Sequence, residues 1–282
     1  MTSRFTFWLI LLGVAVVGGA VWLWAPTQRP TTVSPHPSQA VIGETASLFD
    51  GEVTTWARLS PDGTVTAVGA TVQMATVRNA PVAEPHADED AEAGHHHAEA
   101  HSVRLDLPET ARATTFFDHL QIDYNPAGHA PAAYRKPHFD LHFYGIDTDE
   151  QLAIDCTDRT MPADELVPAG YQVLPPKPES EGGGCVPEMG NHAVDVDAPE
   201  LRPDDPAPFT QTMILGYYGG ELTFLEPMAT RQFLREHEGF TTSVPAPERL
   251  SRSTRYPRTF EAVYDEDRNA YRFVWSDFVT LE

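Results

Sequence analysis

The segment Pro137-His138-Phe139-Asp140-Leu141-His142-Phe143-Tyr144 has the residue types and spacing to do chemistry. Side chains alternate faces along a strand. Phe139, Leu141 and Phe143 then share an apolar face, and His138, Asp140 and His142 share the other. Neutral imidazole and carboxylate are common nitrogen and oxygen ligands of transition metals. Strand neighbours at i and i+2 lie ~6.7 Å apart, and His138 to His142 spans ~13 Å. One ion takes an adjacent pair easily. Taking all three requires a strong twist or a bulge, and Asp140 can instead hold a histidine tautomer from behind. A solvated polar face is the other reading of the same stripe.

Three further segments carry ligand-type residues. His192 follows a glycine turn in Met189-Gly190-Asn191-His192. His129 follows Gly128, just ahead of the His-Asp-His strand. Glu226 ends the apolar run Leu222–Leu225, where a buried carboxylate is costly unless hydrogen-bonded, neutralised or metal-bound. Each has a plainer reading: surface histidines, and a carboxylate near a helix start. The expectation is one site made by His138, His142 and His192, completed by Glu226 or His129, with Asp140 behind it or as an alternative ligand. Three histidines and a carboxylate suit a divalent Zn, Ni, Cu, Mn or Fe ion, and the ligand set does not choose among them. An open coordination position would let the ion activate water or dioxygen; a closed one would make it structural.

Taken in order, these segments resemble the TTHB-like domain family, exported bacterial proteins whose founding member is linked with a sigma-E/anti-sigma-E system. The carriers are Asp123-Tyr124-Asn125-Pro126 with Gly128-His129, then residues 137–144, then Met189-Gly190 with His192, then Leu215-Gly216-Tyr217-Tyr218 and Leu225-Glu226-Pro227-Met228. The resemblance runs from about Gly51 to Val279. Two features depart from it. Family members usually carry an aromatic residue after the third-motif histidine, where this chain has Ala193, and the stretch around residues 86–101 resembles an insertion. The resemblance implies an exported domain and no particular reaction.

The elements that must position these residues read as mostly β. Residues 51–59 alternate as a strand, Ser60-Pro61-Asp62-Gly63 is a turn, and residues 64–78 predict one or two more strands. Residues 102–107, 116–124 and 137–144 follow as strands, and residues 145–188 form a long Pro/Gly-rich excursion, a lid or wall. Residues 210–217 and 221–225 flank a hairpin turn at Tyr218-Gly219-Gly220, and 259–265 and 270–279 flank another. Residues 229–238 predict the one short helix. The expected fold is a single antiparallel barrel or sandwich domain over residues 43–282.

Composition narrows the class. The 282-residue chain has 41 acidic and 19 basic residues and a formal net charge of -22, which repels nucleic acid. Residues 5–25 carry no charge and, at ~1.5 Å per residue, can span a ~30 Å hydrocarbon core. They read as a membrane anchor, with a cleaved signal peptide as the rival. Residues 26–42 read as a Pro/Thr/Ser linker. Residues 79–101 form a His/acid-rich low-complexity loop whose His95, His96, His97 and His101 either capture metal or are incidental. In an exported chain Cys156 and Cys185 read as a disulfide. No P-loop, GxSxG or HExxH motif occurs. Two classes stand: an extracytoplasmic metal-binding domain, enzymatic or not, and a structural or interaction module of the envelope, for instance a homo-oligomer, with hydrogen-bonded histidines and no metal.

Overall fold

A computed structural model describes residues 39–82, 101–178 and 183–282. The apolar segment 5–25, the linker up to residue 38 and His95, His96 and His97 lie outside the described residues. Among the described residues no helix is long and apolar enough to cross a membrane.

The chain opens with β1 (Gln39–Leu48), β2 (Gly51–Leu59) and β3 (Val65–Gln73). Phe49 and Asp50 both have positive φ, 50° and 61°, the backbone of a two-residue hairpin turn whose twist matches the flanking strands. β1 begins inside the stretch read as linker. Its thin inner row is fastened by pairing with β2 from Gln39↔Leu59 to Leu48↔Gly51.

β4 (Ser102–Asp106), β5 (His119–Asn125), β6 (His138–Tyr144), β7 (Tyr171–Val173), β8 (Cys185–Val186) and β9 (Gly190–Asp195) follow. Then come β10 (Gln211–Tyr218) and β11 (Glu221–Thr230), joined at Gly219 and Gly220, both of positive φ. β12 (Phe240–Ser243), β13 (Thr254–Tyr256), β14 (Thr259–Asp265), β15 (Ala270–Ser276) and β16 (Val279–Leu281) complete the set. One sheet has the order β1-β2-β3-β15-β14-β12. The other has the order β4-β5-β6-β11-β10-β9-β7, with β8 on β9, and β13 pairs with β16. The named strand pairs are antiparallel and neither sheet closes on itself, so the barrel alternative is corrected.

The two large sheets share one apolar core. Leu120, Ile122, Phe139, Leu141, Phe143, Leu215 and Leu225 of the second sheet belong to the same buried cluster as Val53, Val68, Val72, Phe260, Phe273 and Trp275 of the first. The Phe143 and Trp275 rings meet edge-on at 5.3 Å between centroids. This claims one face of the second sheet and leaves its other face for the polar residues of the same strands.

The single-helix expectation is corrected. Four short α-helices occur among the described residues: α1 (Met74–Asn79), α2 (Glu109–Thr114), α3 (Thr148–Leu152) and α4 (Arg231–Arg235). α1 replaces the end of the second strand predicted over 64–78. Its β-branched Thr76 and Val77 are buried with Met74, and tertiary packing overrides their strand propensity. α4 is shorter than the predicted 229–238, because Ala229 and Thr230 finish β11. The Thr230 hydroxyl accepts from the Phe233 amide and caps the helix. α3 starts with a capping box, Asp147 accepting from the Glu150 amide and Glu150 from the Asp147 amide.

Candidate metal centre

The outer face of the second sheet carries the polar rows. In β5 these are His119, Gln121, Asp123 and Asn125; in β6, His138, Asp140 and His142. The register sets Asn125 opposite His138, Asp123 opposite Asp140 and Gln121 opposite His142. On the other side of β6, Met228 of β11 pairs with Asp140, which places Glu226 one step along, beside His142. Glu226 pairs with Ile214 of β10, and His192 of β9 pairs with Gly216. Five adjacent strands thus bring His192, Glu226, His142, Asp140 and Asp123 onto one surface.

That surface is buried. Asp140 and Glu226 are 3% and 2% exposed, His138 and His142 0% and 1%. Two small apolar clusters bracket it. One joins Tyr134, Phe209, Ile214 and Met228 at the His138 end; the other joins Tyr144, Val186, Met189 and Phe224 at the His142 end. The long excursion does wall the site: Leu174, Gly184, Val186 and Met189 line its cavity from one side, and His129, Ala130 and Pro131 from another. Cys156 and Cys185 form a disulfide, with Cα atoms 5.9 Å apart, which ties β8 to the rest of the excursion. The excursion is less irregular than its composition suggests, for it contains α3, β7 and β8.

Six predicted site residues come together, in two groups. His142, His192 and Glu226 offer ligand atoms all within 4.8 Å of one another, and so do His129, His138 and Asp140. The single site expected around His138, His142 and His192 is therefore corrected. β6 runs extended past both groups, and no bulge draws His138 toward His142. His101 does not join either group. Its ring packs against Phe49 and Tyr124, at 5.5 and 6.3 Å.

The hydrogen bonds fix the ring states. His192 Nδ1 donates to Gly184 O at 3.0 Å, His138 Nδ1 to Lys136 O at 2.6 Å, and His129 Nδ1 to Ala130 O at 2.7 Å. A carbonyl only accepts, so each Nδ1 carries the proton and each Nε2 is left to face the site. His142 is held differently. Its Nδ1 lies 3.2 Å from Asp123 Oδ2 and its Nε2 3.4 Å from Glu226 Oε1. A carboxylate behind the ring of a ligating histidine is the usual way to fix its tautomer and raise its basicity. Asp123 is itself held by Gln121 Nε2 at 3.0 Å, Gln121 Oε1 accepts from Gln151 Nε2 at 2.8 Å, and Gln151 Oε1 accepts from His119 Nε2 at 2.7 Å. Packing sets the ring planes. Phe224 meets His142 edge-on at 4.9 Å and His192 at 5.6 Å. Gly216 makes room for that phenyl ring, since a Cβ there would overlap it.

The electrostatics follow from burial and pairing. Burial lowers the affinity of His142 for a proton, but Glu226 and Asp123 outweigh it and lift its pKa to about 9. His129 is likewise disfavoured by burial and raised to about 9 by Asp140. Burial pushes the Glu226 carboxyl up to about 8 despite His142. Asp140 is driven well below the usual carboxylate range, its burial overcome by His138 and His129. Asp123 is lowered too, burial being overcome by His142.

Asp123, Asn125, Gln121 and Gln151 were not among the predicted site residues. The first three were within reach of strand alternation, for Gln121, Asp123 and Asn125 fall on one face of β5 just as His138, Asp140 and His142 do on β6. Gln151 comes from α3 and has no such signal. No family model, curated protein or solved structure matches this chain, and the geometry of the site carries the functional argument.

Proposed function

We propose that this is an extracytoplasmic metal-binding domain whose primary site is His142, His192 and Glu226, holding a divalent transition metal ion. The observation that carries the reading is the buried triad itself: two imidazoles and a carboxylate converge within 4.8 Å. His142 Nε2 and Glu226 Oε2 are buried without a hydrogen bond. An orphaned buried carboxylate oxygen costs several kcal/mol, and a cation removes that cost. Asp123 behind His142 and Gly184 O behind His192 are the outer partners such ligands require. Two imidazoles and one carboxylate suit Zn, Fe(II), Mn, Ni or Cu(II).

The extracytoplasmic placement is supported by the Cys156–Cys185 disulfide, which persists in oxidising compartments, and by the apolar segment 5–25 of the sequence. Membership of the TTHB-like family is part of the proposal. Its support is that Asp123, His129, Asp140, His142, His192, Gly216 and Glu226, drawn from the motifs that carry the resemblance, line or hold one cavity. That cavity measures about 60 Å3. At ~15 Å3 per water it takes roughly four waters, which is room beside an ion for water, hydroxide or dioxygen.

The test is metal analysis by mass spectrometry of the untagged full chain carrying His95→Ser, His96→Ser and His97→Ser. Bound transition metal that disappears in Glu226→Gln supports the reading. A folded protein with no metal after incubation with Zn(II) would leave an interaction module with a hydrogen-bonded histidine cluster.

A further inference from the structure

We infer that the cavity holds two ions, the second bound by His129, His138 and Asp140. This rests on the metal reading above and extends it from one ion to a pair.

The first argument is the pairing of orphaned atoms. His138 Nε2 and Asp140 Oδ1 are buried without a hydrogen bond, as are His142 Nε2 and Glu226 Oε2. The two sets belong to different groups. Asp140 and His142 stand two residues apart on β6, ~6.7 Å at the backbone, while a metal–nitrogen bond is only ~2 Å long. An ion seated on His142 and Glu226 leaves His138 Nε2 and Asp140 Oδ1 with only each other, at 3.1 Å.

The second argument is the direction of the lone pairs. With Nδ1 of His129 and His138 donating to backbone carbonyls, both Nε2 atoms turn toward one carboxylate, 3.5 Å from Asp140 Oδ2 and 3.1 Å from Asp140 Oδ1. Asn125 Nδ2 donates to Oδ2 at 2.6 Å and fixes the carboxylate plane without reaching Oδ1. Two ring nitrogens and the oxygens of one carboxylate converge in a buried site, a donor set that one divalent cation satisfies at once. A proton on one ring answers only that ring.

The third argument is charge. Asp123, Asp140 and Glu226 are three buried carboxylates. One divalent ion on His142, His192 and Glu226 leaves one negative charge at this depth, which either a ring proton on His129 or His138 or a second cation beside Asp140 must meet. Two divalent ions overshoot by one positive charge, and one hydroxide in the cavity balances it. The cavity has the volume for that hydroxide, and it is lined by both groups, with His129 and Asp140 from one and His142, His192 and Glu226 from the other.

The experiment counts ions in the full chain bearing His95→Ser, His96→Ser and His97→Ser, purified without a tag and reconstituted with Co(II) or Zn(II). Two equivalents are expected, falling to one in His129→Ala and to one in His192→Ala. Both substitutions lie at partly exposed side chains, 21% and 16%, and leave the buried residues of β6 and β11 unchanged. Magnetic coupling between two Co(II) ions, read by electron paramagnetic resonance on the parent protein, gives the same answer without relying on a variant. One equivalent lost in both variants means a single shared ion. One equivalent lost only in His192→Ala means that protons occupy the second group. Either result overturns the pair and leaves the single-ion reading standing. No bound metal in a folded protein overturns both.

Discussion

Asp123 and His142 sit diagonally across β5 and β6, with Oδ2 3.2 Å from Nδ1, and both are buried. That places an acidic group on the far side of the imidazole from Glu226, so the ring is addressed by a carboxylate at each nitrogen. Asp123→Asn keeps the shape and removes the charge. The expected result is a 10–100-fold loss of Zn(II) affinity, measured by competition with a chelating indicator, with the fold retained by circular dichroism.

The chelated protein should lose stability as pH rises. Folded pKa values of about 9 for His142 and His129 stand above the unfolded value near 6.5, so their contribution is complete below pH 6.5 and disappears by about pH 9. Glu226, raised to about 8, acts in the same direction between about pH 4.5 and 8. Asp140 and Asp123 are depressed, so their contribution is present above pH 3.8 and is lost on acidification below it. Thermal melts in EDTA should therefore peak in mildly acidic buffer. With Zn(II) the alkaline decline should flatten, because the metal binds the deprotonated ligands. Identical pH profiles with and without metal would contradict this.

Gly216→Ala tests the placement of the rings. The added methyl overlaps the Phe224 ring, which packs on both His142 and His192. Overpacking of this kind costs about 1–3 kcal/mol. Metal affinity should fall along with the denaturation midpoint. A drop in stability with unchanged affinity would show that Phe224 does not position the ligands.

Removing the disulfide, as in Cys156→Ser with Cys185→Ser, opens a loop with a sequence separation of 29 and should cost about 3–4 kcal/mol on the chain-entropy view. It should also weaken metal binding, because Gly184 O, the acceptor that orients His192, lies next to Cys185. Urea denaturation and metal titration of the variant measure both effects.

Much of the inner framework was legible in the residues. Alternation in 137–144 separates the apolar row from the ligand row, and the hairpin turns at Gly219-Gly220 and Glu266–Asn269 lie where their residues demand. Of the four short helices only α4 was legible, inside 229–238; the others have five or six residues and carry too little periodicity, and α1 contains strand-favouring residues that packing overrides. The division of ligands into two groups escaped for another reason. Spacing along β6 states how far apart His138 and His142 are, but not which strand lies beside each. The register of β11, β10 and β9 brings Glu226 and His192 to His142, while the loop between β5 and β6 brings His129 to His138 and Asp140.

β6 is a strand with a parity. Its odd-numbered side chains Phe139, Leu141 and Phe143 are committed to the core, and its even-numbered His138, Asp140 and His142 to the candidate ligand groups. Deleting one residue within 138–144 would invert every following position, driving imidazole and carboxylate into the apolar layer and phenyl rings into the cavity. Deleting two would preserve the parity and merely shift the ligand row along its neighbours. Tolerated changes of length in this chain should therefore collect in the connections and, where they strike β6 at all, come in pairs.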